Sequence, residues 1–442
     1  MRRRIAVATA VTAIAGLASG LVTALPVAAD IAQTKIVSDN PVDNTPNVKD
    51  GTVRAYAVIG NEVVVGGTFT QVQQAGTTKV FDRTGIFAYD RTTGVIDTAF
   101  APKLLKAKKD IDGNLLPGEV YALQPGDDGT VYAAGYFTTV NGATVRSLAR
   151  LKLADGANVT TFKGQLDYNA GVRALIRRGT HLYAGGTFTN IAGAARTGLA
   201  RLDATTGKLD PNFNFTLAGP LNGGALRVES IAVDPQDTKV VFDGNFTTVN
   251  GTARSQVAMV DVTDTSAALS GWATGRYGNV CNTSAFDTYV RDVDFDPTGK
   301  YFVLVTTGGP FGNTTLCDSA AKWDATKTTA NQQPVWVNWT GGDTLLSVSC
   351  TGVAVYVGGH QRWLDNPYGR DSAGPGAVDR PGIGAIDPNT GKAKDIPWNP
   401  TRTRGHGVEV LMATSDGGLF VGSDTDELGH EYHQKVGYFP AP

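Results

Sequence analysis

The chain has 442 residues, of which 41% are hydrophobic and 18% charged, and a formal net charge of −2. It is long enough to bury a sizeable core, and it lacks the basic runs that would make nucleic acid a partner. Its 54 glycines suit a fold with many tight turns.

In chain order, residues 1–29 read as a signal peptide. Arg2, Arg3 and Arg4 are a basic n-region, residues 5–25 are apolar with small residues, and Val27-Ala28-Ala29 before Asp30 fits a cleavage site. A retained anchor is the alternative, because the apolar run could span a bilayer. The Gly and Thr content and the cleavage pattern favour removal. The double arginine lacks the rest of a twin-arginine signature, so the export route stays open. No other stretch is apolar enough to cross, so the mature protein is expected to be secreted, extracellular or cell-wall associated, with no membrane span. Removal takes Lys+Arg from 39 to about 36 against 41 Asp+Glu, a net charge of about −5.

Residues 30–52 read as a lead-in, with a short strand-like run at Thr34-Lys35-Ile36-Val37. From residue 53 the chain repeats. The clearest unit is 172–213, four short alternating runs separated by Gly179, Gly185-Gly186, Gly193 and Thr206-Gly207. Units at about 53–100, 120–162, 228–272, 290–339, 345–398 and 408–440 share its strand order, with a spacing of roughly 50–65 residues. The unit over 290–339 is degenerate. A lone four-stranded meander cannot bury both faces in water. The expected fold is therefore all-β: a seven-bladed β-propeller of four-stranded antiparallel blades over 53–442. The last unit ends with only three strands. The run 34–37 is expected to supply its missing outer strand and close the ring, since open edges are a liability.

Within each unit the first strand has a small third residue (Ala55, Ala122, Ala174, Ser230, Ser347) and often a charged second one: Arg54, Arg173, Glu229, Arg291, Glu409. These form either a mixed-sign ring at one mouth of the channel or, as favoured, salt bridges between blades. The Gly-Gly pair removes side chains where sheets approach. Phe69, Phe137, Phe188 and Phe246 are expected core residues. Asn141-Gly142 and Asn250-Gly251 are tight turns, and the aspartates of 90–94, 203–207 and 387–391 cap turns.

Three cysteines occur. Cys281 lies in the connection entering the fifth unit and Cys317 in its second-to-third-strand connection. Those loops share a face of a propeller, so a Cys281–Cys317 disulfide is expected, with Cys350 a buried free thiol. No Cys-x-x-Cys spacing suggests a redox site.

Chemistry is expected on the long second-to-third-strand connections of the last three units, 308–318, 358–382 and 423–435, which project from one face. They carry His360, Arg362, Trp363, Asp365, Asn366, Tyr368, Arg370, Asp371, Arg380, Asp424, Asp426, His430, Glu431 and His433, and His406 lies just before the last unit. Trp363 or Tyr368 could stack on a sugar while Asp, Asn and Arg bond its hydroxyls. His430, Glu431 and His433 with Asp424 and Asp426 are ligands a cation would accept, though the spacing matches no calcium loop and no His-Glu-x-x-His. The competing reading is that these loops satisfy one another through Arg–Asp pairs. No nucleophile elbow or phosphate loop appears, and a carboxylate pair for glycoside hydrolysis cannot be chosen from sequence.

The units GGTFTNIAGAARTGLARLDATTGKLDPNF and AGYFTTVNGATVRSLARLKL resemble the delta-60 type repeat of secreted bacterial β-propellers common in actinobacteria. The resemblance covers most of residues 53–398 and is strongest over 120–262. The tail with GGHQRWLDNPYGRDSAGPGAVDRPG and GSDTDELGHEYH is similar to the end of such propellers. It implies the propeller fold and an extracellular location, and it supplies no activity and no catalytic residues. The expected role is a monomeric binding module for an extracellular glycan or a surface protein. The alternatives are a polysaccharide-active hydrolase or lyase, metal-assisted in one form, and a structural surface protein. No cofactor is expected, and a bound cation is compatible with the residues.

Overall fold

The computed structural model describes residues 31–442 apart from 167–169, 279–280, 283 and 404, so the signal peptide expected over 1–29 lies outside the described residues. Among the described residues the chain is all-β, with two short 3-10 turns at Leu221–Gly223 and Ala393–Asp395. No helix there is long and apolar enough to cross a membrane.

Among the described residues, seven antiparallel sheets of three or four strands are each built from consecutive strands of one repeat unit, and they follow one another in chain order. Their first and second strands are Val53–Ile59 and Glu62–Gly67, Glu119–Pro125 and Thr130–Tyr136, Val172–Arg178 and His181–Gly186, Arg227–Val233 and Lys239–Asn245, Val290–Phe295 and Tyr301–Thr306, Leu345–Cys350 and Val355–Gly359, and Val408–Ala413 and Leu419–Ser423. In the fourth and fifth sheets a full fourth strand pairs, Ala267–Leu269 and Trp336–Trp339. In the first three its place is held by single bridges, Tyr89 to Ile96, Leu151 to Asn158 and Leu202 to Leu209. Each first strand touches the first strand of the next sheet, and that of the seventh touches that of the first. Sheets set radially in a closed ring make a β-propeller.

The core follows from this arrangement. It divides into seven apolar wedges, one between each pair of neighbouring sheets. The aromatic that ends each unit fills such a wedge: Phe100, Phe162, Phe213, Trp272 and Trp398 are buried there, while Trp339 is half-buried. The wedge of the seventh and first sheets holds Val53, Phe87, Phe420 and Tyr438, so apolar packing closes the ring.

The glycine pair has two separate reasons. A Cβ at the first glycine would strike the opening valine of the next sheet, at 2.6 Å for Gly66 on Val120 and 2.7 Å for Gly422 on Val53. The second glycine faces a β-bulge. Every first strand slips register just after its opening valine or leucine, as between Val53 and Ala55 or Val172 and Ala174. The bulge brings a carbonyl, that of Thr52 on Gly67 and of Gly171 on Gly186, into the space a Cβ would need.

A second tier of pairing sits on the face where the second-to-third-strand connections emerge. Two- or three-residue hairpins such as Gln71–Gln73 with Val80–Asp82 and Thr139–Val140 with Ala143–Thr144 pair with the segment that precedes their sheet, here Asn47–Val48 and Leu104–Lys109. Asn141 and Gly142, both at positive φ, make the tight turn expected of them. Among the described residues the fifth sheet has no such hairpin. There Cys281 and Cys317 join the same two connections by a disulfide, with Cα atoms 5.7 Å apart, and Cys350 is a buried free thiol.

The lead-in runs along the sixth and seventh sheets. Ile31 and Val37 are buried in the wedge between them. The backbone bonds to the last strand, Val436–Phe439, and the residue after it come from Ser38, which donates to the Pro440 carbonyl at 2.9 Å, and Val42, which donates to that of Tyr438 at 2.9 Å. These donors lie downstream of 34–37. That run makes no strand; the Val37 amide donates to the Tyr356 hydroxyl instead.

Candidate functional site

The loop residues singled out from sequence are largely tied into the fold. Asp365 is buried and at positive φ; it accepts from the Asn338 amide and from the backbone of Ala393 and Lys394. Asn366, fully buried, donates to the Thr340 and Ser372 carbonyls and accepts from the Gly374 amide. Arg380 is buried against the Ala393 and Ile396 carbonyls, and burial pulls its guanidinium below its ordinary value. Arg362 grips Asp343 through Nε and Nη2, both at 2.9 Å, and its guanidinium covers one face of Trp363 at 4.4 Å. Asp371 adds a longer contact to Arg362 at 3.4 Å. Arg370 reaches the Pro310 carbonyl at 3.4 Å, and the His360 amide donates to the Thr344 carbonyl. Tyr368 is two-thirds exposed and open for stacking.

The last connection divides in the same way. Asp424 accepts from the His406 and Gly407 amides, and Asp426 pairs with Lys435 at 3.1 Å. His430 is exposed and meets the Thr401 hydroxyl. Only Glu431 and His433 of the expected cation set converge, and their third partner is Asp43 of the lead-in. The turn aspartates are structural as expected: Asp90 and Asp203 accept from the backbone and hydroxyl of Thr93 and Thr206. Phe69, Phe137, Phe188 and Phe246 are buried.

The larger opening lies on the ring axis. A cavity of about 280 Å³ is lined by the first strands of all seven sheets, just below the ~300–1,000 Å³ usual for small-molecule sites. Each bulge falls at the residue after the opening valine or leucine of a first strand, and those residues, Arg54, Tyr121, Arg173, Glu229, Arg291, Leu346 and Glu409, line one level of the cavity. Bulges re-aim side chains in this manner. Both sequence readings of the charged second residues apply. Arg54 pairs with Glu409 at 3.2 Å and Arg173 with Glu229 at 2.5 Å, each across neighbouring sheets. Tyr121 stands between Arg54 and Arg173, whose guanidiniums lie 5.5 and 5.6 Å from its ring centre.

Arg291 has no carboxylate in ion-pair contact among the described residues. It donates to the Thr288 and Val290 carbonyls at 3.0 and 2.8 Å, and burial pulls it below its ordinary value. Burial would raise Glu409, but the bond from His406 and the charge of Arg54 outweigh it and hold the carboxyl low. Deeper in the cavity, burial pushes Asp292 up to about 6 and lifts Asp294 well above the carboxylate range. Asp243 replaces the first glycine in the fourth sheet, pairing in register with Ser230 as Gly66 does with Ala55. Its buried Oδ2 has no partner, and burial raises it strongly. The level at the bulges was readable as a charged pattern, whereas the bulge that aims it was not, because a bulge leaves no mark in apolar alternation.

Of the comparisons with known proteins, the match to a family model bears on this architecture. Residues 127–157 and 181–213 match the model of a family described as "Domain of unknown function (DUF5122) beta-propeller". No curated protein matches the chain. Among solved structures, the computationally designed Ika8 protein is 13% identical, covers 89% of this chain and 98% of its own, and has a TM-score of 0.44. The β-propeller domain of Cps50 (Swd1) from Myceliophteria thermophila is 10% identical, covers 69% of this chain and 78% of its own, and has a TM-score of 0.41. The family match supports a β-propeller of unknown function.

Proposed function

We propose that the protein is an exported, seven-bladed propeller of the delta-60 repeat type that works as a monomeric binding module. Its ligand is an extracellular glycan, carried free or on a surface partner, held where the seven bulged residues surround the axial cavity. The observation that carries this reading is the uniform bulge, which turns a set of cations, carboxylates and one tyrosine towards a common space. Hydroxyl-rich ligands suit such alternating donors and acceptors, and Arg291, which has no carboxylate in ion-pair contact among the described residues, suits an acidic sugar.

The loops of the last three sheets support a wall beside the mouth more than a pocket, since Arg362, Asp365 and Asn366 are already bonded and the Arg380 guanidinium is turned onto backbone carbonyls. The test is titration calorimetry on oligosaccharides selected by glycan array. Arg291→Ala is expected to weaken an acidic oligosaccharide at least about tenfold, the cost of a lost charge-assisted bond, while Trp363→Ala changes it little. No saturable binding would sink the reading. Loss of binding in Trp363→Ala alone would return the site to the loops. Asp292 and Asp294 in the same cavity favour one alternative, a hydrolase or lyase acting on polysaccharide; turnover abolished by Asp292→Asn would establish it. Absence of both binding and turnover would leave a structural surface role.

A further inference from the structure

A second polar cluster lies where the lead-in meets the connection of the seventh sheet. Ligand atoms of Asp43, Glu431 and His433 all lie within 4.8 Å of one another. Asp43 is exposed, whereas the His433 side chain is only 5% exposed. The histidine's orientation is set from outside the cluster. The Thr45 hydroxyl has one proton and sends it to the Val436 carbonyl at 3.0 Å, which can only accept. Its 3.3 Å contact with His433 Nδ1 therefore takes the ring N–H as donor. Nδ1 is thereby taken, and the other ring nitrogen, Nε2, is turned to the Glu431 carboxylate at 3.3 Å, with Asp43 beside them. A metal ion is one positive group that this convergence of a ring nitrogen and two carboxylates can hold.

We propose that Asp43, Glu431 and His433 bind a divalent transition ion of the zinc type. Two hard carboxylates and one borderline imidazole make a mixed oxygen–nitrogen set that such an ion accepts, the imidazole favouring it over calcium or magnesium. Bonds of about 2.1 Å in a tetrahedron put ligand atoms roughly 3.4 Å apart, close to the spacing already present between Glu431 and His433. Thr45 is the outer partner that a ligating histidine usually has on its other nitrogen. The fourth position is left to water. The ion would tie residue 43, ahead of the first sheet, to the hairpin Glu427–Leu428 with Glu431–Tyr432 of the last. It would therefore act as a clasp on the ring closure and be independent of ligand binding at the axis.

The probe is zinc chloride, with manganese chloride as comparator, titrated into the chelator-treated full mature chain by calorimetry, with a melting curve at each end point. One equivalent of zinc and a raised Tm are expected. Asp43→Asn, at an exposed position that should fold normally, is expected to abolish both effects. Thr45→Val should weaken zinc by about 10-fold. His430→Ala, at a neighbouring exposed histidine outside the cluster, should change nothing. Zinc binding that survives Asp43→Asn or disappears in His430→Ala would overturn the site. So would no binding with an unchanged melt.

Discussion

At the scale of single residues, the buried aspartates are concentrated in the fourth to sixth sheets. Asp318 immediately precedes the third strand of the fifth sheet, Ser319–Asp324, at 2% exposure, and neither carboxylate oxygen has a hydrogen-bond partner. Burial pushes it up to about 7; the nearby Gly309 amide, short of bonding geometry, offsets only part of this. The folded state therefore holds the proton more tightly than the unfolded chain. Stability falls as pH rises from about 4 to about 7 and is lowest above that. Asp318→Asn is expected to flatten this slope and to raise Tm at pH 8 by at least about 2 °C. Asparagine also tolerates the positive φ at this position. Parallel Tm–pH profiles for the two proteins would show that the carboxylate is not being strained by burial. Asp318 escaped the sequence reading because an aspartate beside a cysteine in a loop looks solvated until the packing around it is known.

At the scale of elements, each connection over the mouth is held to the segment before its sheet, by short pairing in most sheets and by Cys281–Cys317 in the fifth. The cystine closes a loop with a sequence separation of 36, worth about 3–4 kcal/mol by chain entropy. The double variant Cys281→Ser with Cys317→Ser should lose stability of that order in denaturant unfolding. An unchanged midpoint would mean that the fifth sheet holds its loops by other contacts. The disulfide was legible because loop topology follows from strand order. The two-residue hairpins were legible only as turns, since two residues carry no period.

At the scale of the whole molecule, the weak point of any ring is its closure. Gly422 against Val53 and the apolar wedge around Phe420 close the inner part, and the lead-in covers the outside of the last sheet. Deleting residues 31–42 removes Ile31 and Val37 from their wedge, about 3–6 kcal/mol from those side chains alone. It also exposes the edge at Tyr438. A sharp fall in Tm is expected, and a melt equal to that of the chain without the deletion would count against closure by the lead-in. The run at 34–37 suggested the function of this segment, but the paired donors are Ser38 and Val42, because the Tyr356 hydroxyl takes the Val37 amide.

The repeat, the all-β class, the place of the glycine pair and the partner of Cys281 are properties of the chain alone. They depend on periodicity and local backbone demands that recur along it. The fate of each polar side chain was decided by tertiary structure. Asp365, Asn366 and Arg380 have the residue types of a binding site and are used as internal ties, whereas Asp43 gave no signal and stands beside residues 388 and 390 positions away. Periodicity reports which face of a strand is buried. Whether a donor meets its acceptor depends on chain segments brought together only when the ring closes.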